Sequence, residues 1–190
     1  MNNEYLEPYK PVLVSIQELL DKFPQRGVII GGIAVTILGE QRYTADVDIL
    51  VLISNDQVND FLDASRLAGF TSRVTDLLAF AKQNRVIPLV HTESGLKADF
   101  VMGMLPFEKE VVARAKKMVF HNVEITLPTV EDLIIMKAIA HRPKDLSDIT
   151  GLAKNHDELD LVRIRFWVSQ FGEALEQPNL WESIQKYLKS

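Results

Sequence analysis

A short apolar run, Gly27–Ile30, leads straight into Gly31-Gly32, and the chain then reaches Asp46-Val47-Asp48 at the head of a second apolar run, Ile49-Leu50-Val51-Leu52-Ile53. This order predicts a strand, a tight turn, a short helix and a second strand. The glycine pair lets the backbone turn sharply and approach a ligand closely. A helix opening at Ile33 would aim unpaired amides and a positive dipole end at the same spot, which suits phosphate. Asp46 and Asp48 stand at the strand period, so both carboxylates share a face. Such a pair offers hard oxygen ligands for Mg²⁺ (or Mn²⁺) carrying a nucleoside triphosphate. Taken singly, each part has an ordinary reading as a turn or as two solvated acids. Here the acids open a run that reads as buried on both faces, where a carboxylate costs desolvation energy unless a cation pairs with it.

These residues resemble the signature of the DNA polymerase β-like nucleotidyltransferase superfamily. The wording Arg42-x-Thr44-x-Asp46-x-Asp48 is most similar to the bacterial stand-alone branch that includes AbiEii-type toxins of toxin–antitoxin systems. A second match begins at Pro128-Thr129-Val130-Glu131-Asp132-Leu133-Ile134, continues through Lys137 and ends in Arg142-Pro143-Lys144-Asp145-x-x-Asp148. It resembles the helical segment that such proteins carry behind their catalytic sheet. The resemblance implies a third acid on a neighbouring strand. Asp99, in the short run Lys97–Met102, fits that role as a metal ligand or proton acceptor, with an edge-strand acid or a partner for Lys97 as the ordinary reading. It also implies that Gly31 and Gly32 hold phosphates, and that Lys137, Lys144 and Asp145 line the nucleotide site, with Asp148 a weaker candidate. Arg42 and Thr44, in the loop before the acids, are further nucleotide-binding candidates.

With 190 residues, the chain has room for one domain with a helical extension, and 47% hydrophobic content supports a sizeable core. A net charge of −5 argues against a broad nucleic-acid-binding surface. Lys109, Arg114, Lys116 and Lys117 leave room for a local basic path. The absence of cysteine excludes disulfides and thiolate zinc sites. No apolar stretch is long enough for a bilayer and no basic-then-apolar leader opens the sequence, so the expectation is a cytoplasmic protein without a membrane partner. The four histidines show no metal-ligand spacing, and neither a Gly-x-Ser-x-Gly elbow nor a Walker loop is present.

The walk along the chain gives an α+β pattern: a polymerase β-like mixed sheet flanked by helices, followed by a C-terminal helical bundle. Residues 1–128 form the expected core with an N-terminal helix over 11–23, and 129–190 form a helical region packed on it. Between the second strand and the hairpin, the patterning predicts a helix from Asn55 or Asp56 to about residue 68. It also predicts strands over 70–74, 85–91 and 97–102 and a helix over 75–84. Residues 118–120 and 123–127 read as a hairpin turned at His121-Asn122. Thr129 reads as an N-cap, and Asn179 with Glu182 as a capping box for the last helix. Lys137 is the lone charge in an apolar helix body, so it either snorkels to water or meets triphosphate. On both readings the fold itself does not need the ammonium.

The function expected on these grounds is transfer of a nucleoside monophosphate from Mg–NTP to an acceptor, with release of pyrophosphate. The acceptor is left open among a tRNA end, a protein hydroxyl and a small molecule, and an antitoxin protein is a further expected partner. Two alternatives stand beside it: a glycosyltransferase or phosphohydrolase using Asp-x-Asp with Mg²⁺, and a degenerate nucleotide- or partner-binding module without turnover.

Overall fold

The computed structural model describes residues 4–23, 27–120 and 122–188; His121, expected in the hairpin turn, lies outside them. In chain order the first helices are α1 (Lys10–Leu20), α2 (Gly31–Leu38), α3 (Val58–Leu67), α4 (Leu77–Asn84) and α5 (Pro106–Arg114). Four more follow: α6 (Val130–Ala140), α7 (Pro143–Lys154), α8 (Leu161–Ala174) and α9 (Leu180–Ile184). The strands are β1 (Gly27–Ile30), β2 (Asp46–Val51), β3 (Phe70–Ser72), β4 (Val86–His91), β5 (Lys97–Met102), β6 (Lys116–Phe120) and β7 (Val123–Leu127). The chain divides into two compact units: Met1–Gly31 with Thr44–Leu127, and Gly32–Tyr43 with Pro128–Ser190.

The first unit is built on a five-stranded mixed sheet in the order β1-β2-β5-β4-β3. Only β2 and β5 run parallel; the other neighbours are antiparallel. Alternation gives each strand two chemistries. Val47, Ile49, Val51, Ala98, Phe100 and Met102 are buried on one face. Phe61 of α3 closes that face edge-on to Phe100, with ring centroids 5.2 Å apart. Asp46, Asp48, Lys97 and Asp99 occupy the alternate positions on β2 and β5. The architecture is therefore the expected mixed α+β class, with the acids confined to the sheet face opposite Phe100.

Element boundaries moved where a local hydrogen bond overrides periodicity. The strand expected over 70–74 ends at Ser72, whose hydroxyl folds the chain by accepting from the Val74 amide at 3.0 Å. The next helix starts at Leu77 because the Asp76 carboxylate takes the Ala79 amide at 3.0 Å as an N-cap. Helix α5 has no Ser, Thr, Asp or Asn before it and escapes the sequence pattern. Its start is fixed instead by Glu108, which accepts from the Met104 and Leu105 amides at 2.6 and 2.8 Å. Strand β6 begins at Lys116, two residues ahead of expectation.

In the second unit, Thr129 caps α6 by accepting from the Asp132 amide at 3.2 Å. Leu133, Ile134, Ile135 and Ala138 of α6 are buried. Within the same unit α2 and the loop after it are fastened to α7. The His156 imidazole lies 2.6 Å from the Leu38 carbonyl, and Lys154 lies 3.3 Å from Glu40. At Asn179 the expected side-chain cap is absent; its backbone sits at φ −92 and ψ 15, away from the extended conformation in which a cap side chain reaches forward. No helix among the described residues is long and apolar enough to cross a membrane.

Candidate active site

At the end of β1 the chain turns through Gly31 with φ +65. A Cβ there would stand 2.0 Å from the Asp48 carboxylate oxygen Oδ2. The glycine is thus demanded twice, by a left-handed backbone and by an acid lying directly over it. Gly32, which follows it into α2, is buried.

Registers across the sheet place the acids in rows. Ile30 of β1 stands opposite Asp48, Asp48 opposite Asp99 on β5, and Asp99 opposite Pro88 on β4. The row continues one residue beyond β3, because the Arg73 amide donates to the Pro88 carbonyl at 3.1 Å. Residues directly opposite share a face. Pro88 carries no long side chain, so Arg73 reaches over it and its guanidinium donates to the Asp99 carboxylate. In the adjacent row Asp46 stands opposite the exposed Lys97.

Around Asp46, the Thr44 hydroxyl lies 3.0 Å from the Asp46 carbonyl and 3.3 Å from its Oδ1. The Tyr9 hydroxyl donates to the Thr44 carbonyl and so ties the approach to β2 to the start of α1. Thr44 is buried, and its hydroxyl orients the first acid. Asp46 and Asp48 are hard oxygen donors on one strand face and fit a divalent cation. Among the described residues no three acids or imidazoles converge as a ready-made metal centre. Asp99 is engaged by Arg73 instead.

In the second unit Lys137 is 5% exposed, so it does not snorkel. Its ammonium donates to Asp145 Oδ1 at 3.3 Å and lies 2.9 Å from Asp148 Oδ2. Arg42 approaches the other Asp148 oxygen at 3.0 Å. Arg42 and Lys137 meet Asp148 as ion pairs whose angles are not those of aligned hydrogen bonds, since Arg42 Nε and Asp148 Oδ2 lack such a partner. Arg142 holds Asp145 through its Nε at 2.6 Å and its backbone amide at 3.2 Å. Burial pushes the Asp145 carboxyl up, but the Arg142 hydrogen bond, the Lys137 charge and the Arg142 amide together outweigh it and hold the group below its ordinary value. Lys144 is exposed. The sequence expectation that the fold does not need Lys137 is therefore corrected: its charge balances two buried carboxylates. Asp148, a lesser candidate from sequence, joins Arg42 and Lys137.

Two groups escaped the sequence reading. Arg73 had no local signal, because its partner is 26 residues away. His91 is buried, with Nε2 3.1 Å from the Ser15 hydroxyl and Nδ1 2.9 Å from that of Ser94. Burial pushes its pKa down, against a smaller opposing effect from Glu93.

The fold is similar to a putative nucleotidyltransferase from Helicobacter pylori, at 16% identity over 98% of this chain and 84% of that one, with a TM-score of 0.54. It is similar to JHP933 from the same organism, at 14% identity, 98% and 82% coverage and a TM-score of 0.51. An antigenic nucleotidyltransferase-like protein from Paracoccidioides brasiliensis gives 14% identity, 92% and 91% coverage and a TM-score of 0.56. At such identities the likeness is one of fold. No curated protein matches the chain. A family model described as nucleotidyltransferase of unknown function (DUF6036) matches residues 11–177. That span takes in the sheet, its acids and most of the C-terminal helices, and the chain belongs to this family of nucleotidyltransferases of unknown function.

Proposed function

We propose that the protein is a metal-dependent nucleotidyltransferase that moves a nucleoside monophosphate from an NTP to an acceptor hydroxyl. The observation that carries this reading is the seating of Asp48 against Gly31, with Asp46 on the same strand face and Asp99 in register beside it. Asp46 and Asp48, joined by Asp99, would hold Mg²⁺ or Mn²⁺, which when bound neutralises triphosphate charge and polarises the phosphoryl group. The Gly31 turn brings bare main chain against the Asp48 carboxylate, so a phosphate on the cation held there would meet backbone rather than a side chain. In the transfer, the acceptor oxygen bonds to the α-phosphorus while the bond from that phosphorus to the bridging oxygen breaks. Pyrophosphate departs with the electron pair. Asp99, once free of Arg73, accepts the acceptor's proton. This chemistry asks for alignment and charge stabilisation rather than a covalent intermediate, in keeping with the absence of cysteine and of a serine elbow.

The Arg42-x-Thr44-x-Asp46-x-Asp48 wording supports the finer reading as an AbiEii-type toxin whose activity a partner antitoxin restrains. Growth arrest on expression, relieved by a neighbouring gene product, would support it; harmless expression of active enzyme would remove it. The acceptor class is a tRNA end, a protein hydroxyl or a small molecule. Incubation with each α-labelled NTP, Mg²⁺ and cell extract tests the main reading. Label on an acceptor with pyrophosphate release supports transfer. Free phosphate would point to a hydrolase, and binding without release to a non-catalytic module; either overturns it.

A further inference from the structure

The third carboxylate of the sheet row already has a cation. We propose that Arg73 is a positioning residue that serves as the resident counter-ion of Asp99, so that Asp99 joins Asp46 and Asp48 around a divalent cation only when Arg73 lets go. This rests on the reading of those three acids as the cation-binding set. Three observations carry it.

The first is the row itself. Asp48 and Asp99 are direct partners across the parallel strands β2 and β5, and like charges in that relation repel. One of them needs a positive neighbour whenever no metal is present. The second is reach. Arg73 lies one residue past β3, held in line by its amide bond to Pro88, and Pro88 is the partner of Asp99. Its side chain therefore crosses a single strand, over a ring that offers no obstruction and no competing charge. The third is the choice of cation. Lys97 shares the face with Asp99 and lies on the same strand, yet it stands in register with Asp46, and Asp99 turns to Arg73.

Both partners are about a quarter exposed, at 26% each, so the guanidinium can leave into water without stranding a buried charge. Arg73 thereby sets how tightly the site takes a cation. The freed guanidinium then stands over the sheet next to the acids, a donor fork of the geometry that phosphate oxygens accept.

Mn²⁺ affinity, read by isothermal titration calorimetry with no nucleotide, tests this without activity. Arg73→Gln should bind Mn²⁺ more tightly than wild type by on the order of tenfold, the lower end for a charge-assisted contact because this one is solvent-screened. Arg73→Lys should fall between them. In an Asp99→Asn background Arg73→Gln should change affinity by less than about twofold, since the arginine acts through that carboxylate. Melting curves would confirm that each variant is folded. Equal or weaker binding by Arg73→Gln overturns the proposal. Its failure is separable from failure of the functional reading: if Asp46→Asn and Asp48→Asn leave Mn²⁺ binding at the wild-type level, or no variant binds, the acids are not a cation site and both ideas fall. If those variants abolish binding while Arg73→Gln leaves it unchanged, only the role of Arg73 falls.

Discussion

Replacing Lys137 by methionine keeps the apolar stem and deletes one ammonium. Its two partners, Asp145 and Asp148, have side chains only 0% and 4% exposed. Breaking a buried pair costs roughly 3–5 kcal/mol, because the remaining charge is left in a poorly solvated place. Here each acid retains an arginine, Arg142 for Asp145 and Arg42 for Asp148, so the lower end, about 3 kcal/mol, is expected. For a chain of this size that corresponds to a fall in Tm of roughly 6–12 °C. The pH dependence gives a second reading. Asp145 is held below its ordinary value of 3.8, so its ionised form contributes stability at neutral pH that is lost as pH falls through the folded value. Without Lys137 the folded value rises, and the contribution disappears at higher pH than in wild type. The gap in Tm between variant and wild type should therefore be widest near neutrality and close as pH falls through the variant's folded value toward that of wild type, below 3.8. Differential scanning calorimetry across that range is the assay. A variant Tm within about 2 °C of wild type at neutral pH would refute the reasoning, since it would mean that the carboxylates do not depend on this charge.

Three further outcomes follow from the first unit. Asp48→Asn should reduce Mg²⁺-dependent nucleotide transfer to background while the metal-free Tm stays level or rises, because a repulsion with Asp99 is removed; wild-type turnover would exclude Asp48 from the site. Gly31→Ala should cost about 1–2 kcal/mol for the left-handed backbone alone, and more for the clash with Asp48, seen as a lower Tm together with weakened Mn²⁺ binding. His91 is kept neutral by burial, so stability should decline as pH falls below its ordinary value of 6.5, where the unfolded chain takes up a proton that the folded chain resists. His91→Gln should lose that component of the pH profile, and an unaltered profile would assign the decline to other groups.

The parts of the fold legible in sequence are those fixed by local signals. The Gly-Gly turn after an apolar run, the shared face of Asp46 and Asp48 and the Thr129 cap each involve neighbours within a few residues. Helix α5 was not legible, because Glu108 reaches back to amides that no Ser or Asp announces. The partners of the charged groups were also hidden. Lys137 looked like an isolated charge in an apolar helix, yet its carboxylates arrive one helix later, and Asp148 then brings in Arg42 from the loop after α2. Nothing in the spacing of Lys137, Asp145 and Arg42 says which will pair, since pairing depends on how α2 and its loop are held against α7 within that unit.

The two charge arrangements answer the same electrostatic demand in different ways. In the second unit the acids lie where water hardly reaches, and each is matched by lysine and arginine from neighbouring elements, at separations of 2.6–3.3 Å. Such a network resists rearrangement, because any departing cation leaves a buried carboxylate behind. On the sheet face the acids are partly exposed, and neighbouring strands bring Asp48 and Asp99 to within about 5 Å along the ladder, where like charges weaken the pairing. A fold selected for stability alone would place an apolar or basic residue at one of these positions. Keeping two carboxylates in register, and seating one of them where a Cβ on Gly31 would collide with it, makes sense when a mobile cation is meant to complete the charge balance. Arg73 meets Asp99 from a solvated position, which is where an exchangeable counter-ion has to be.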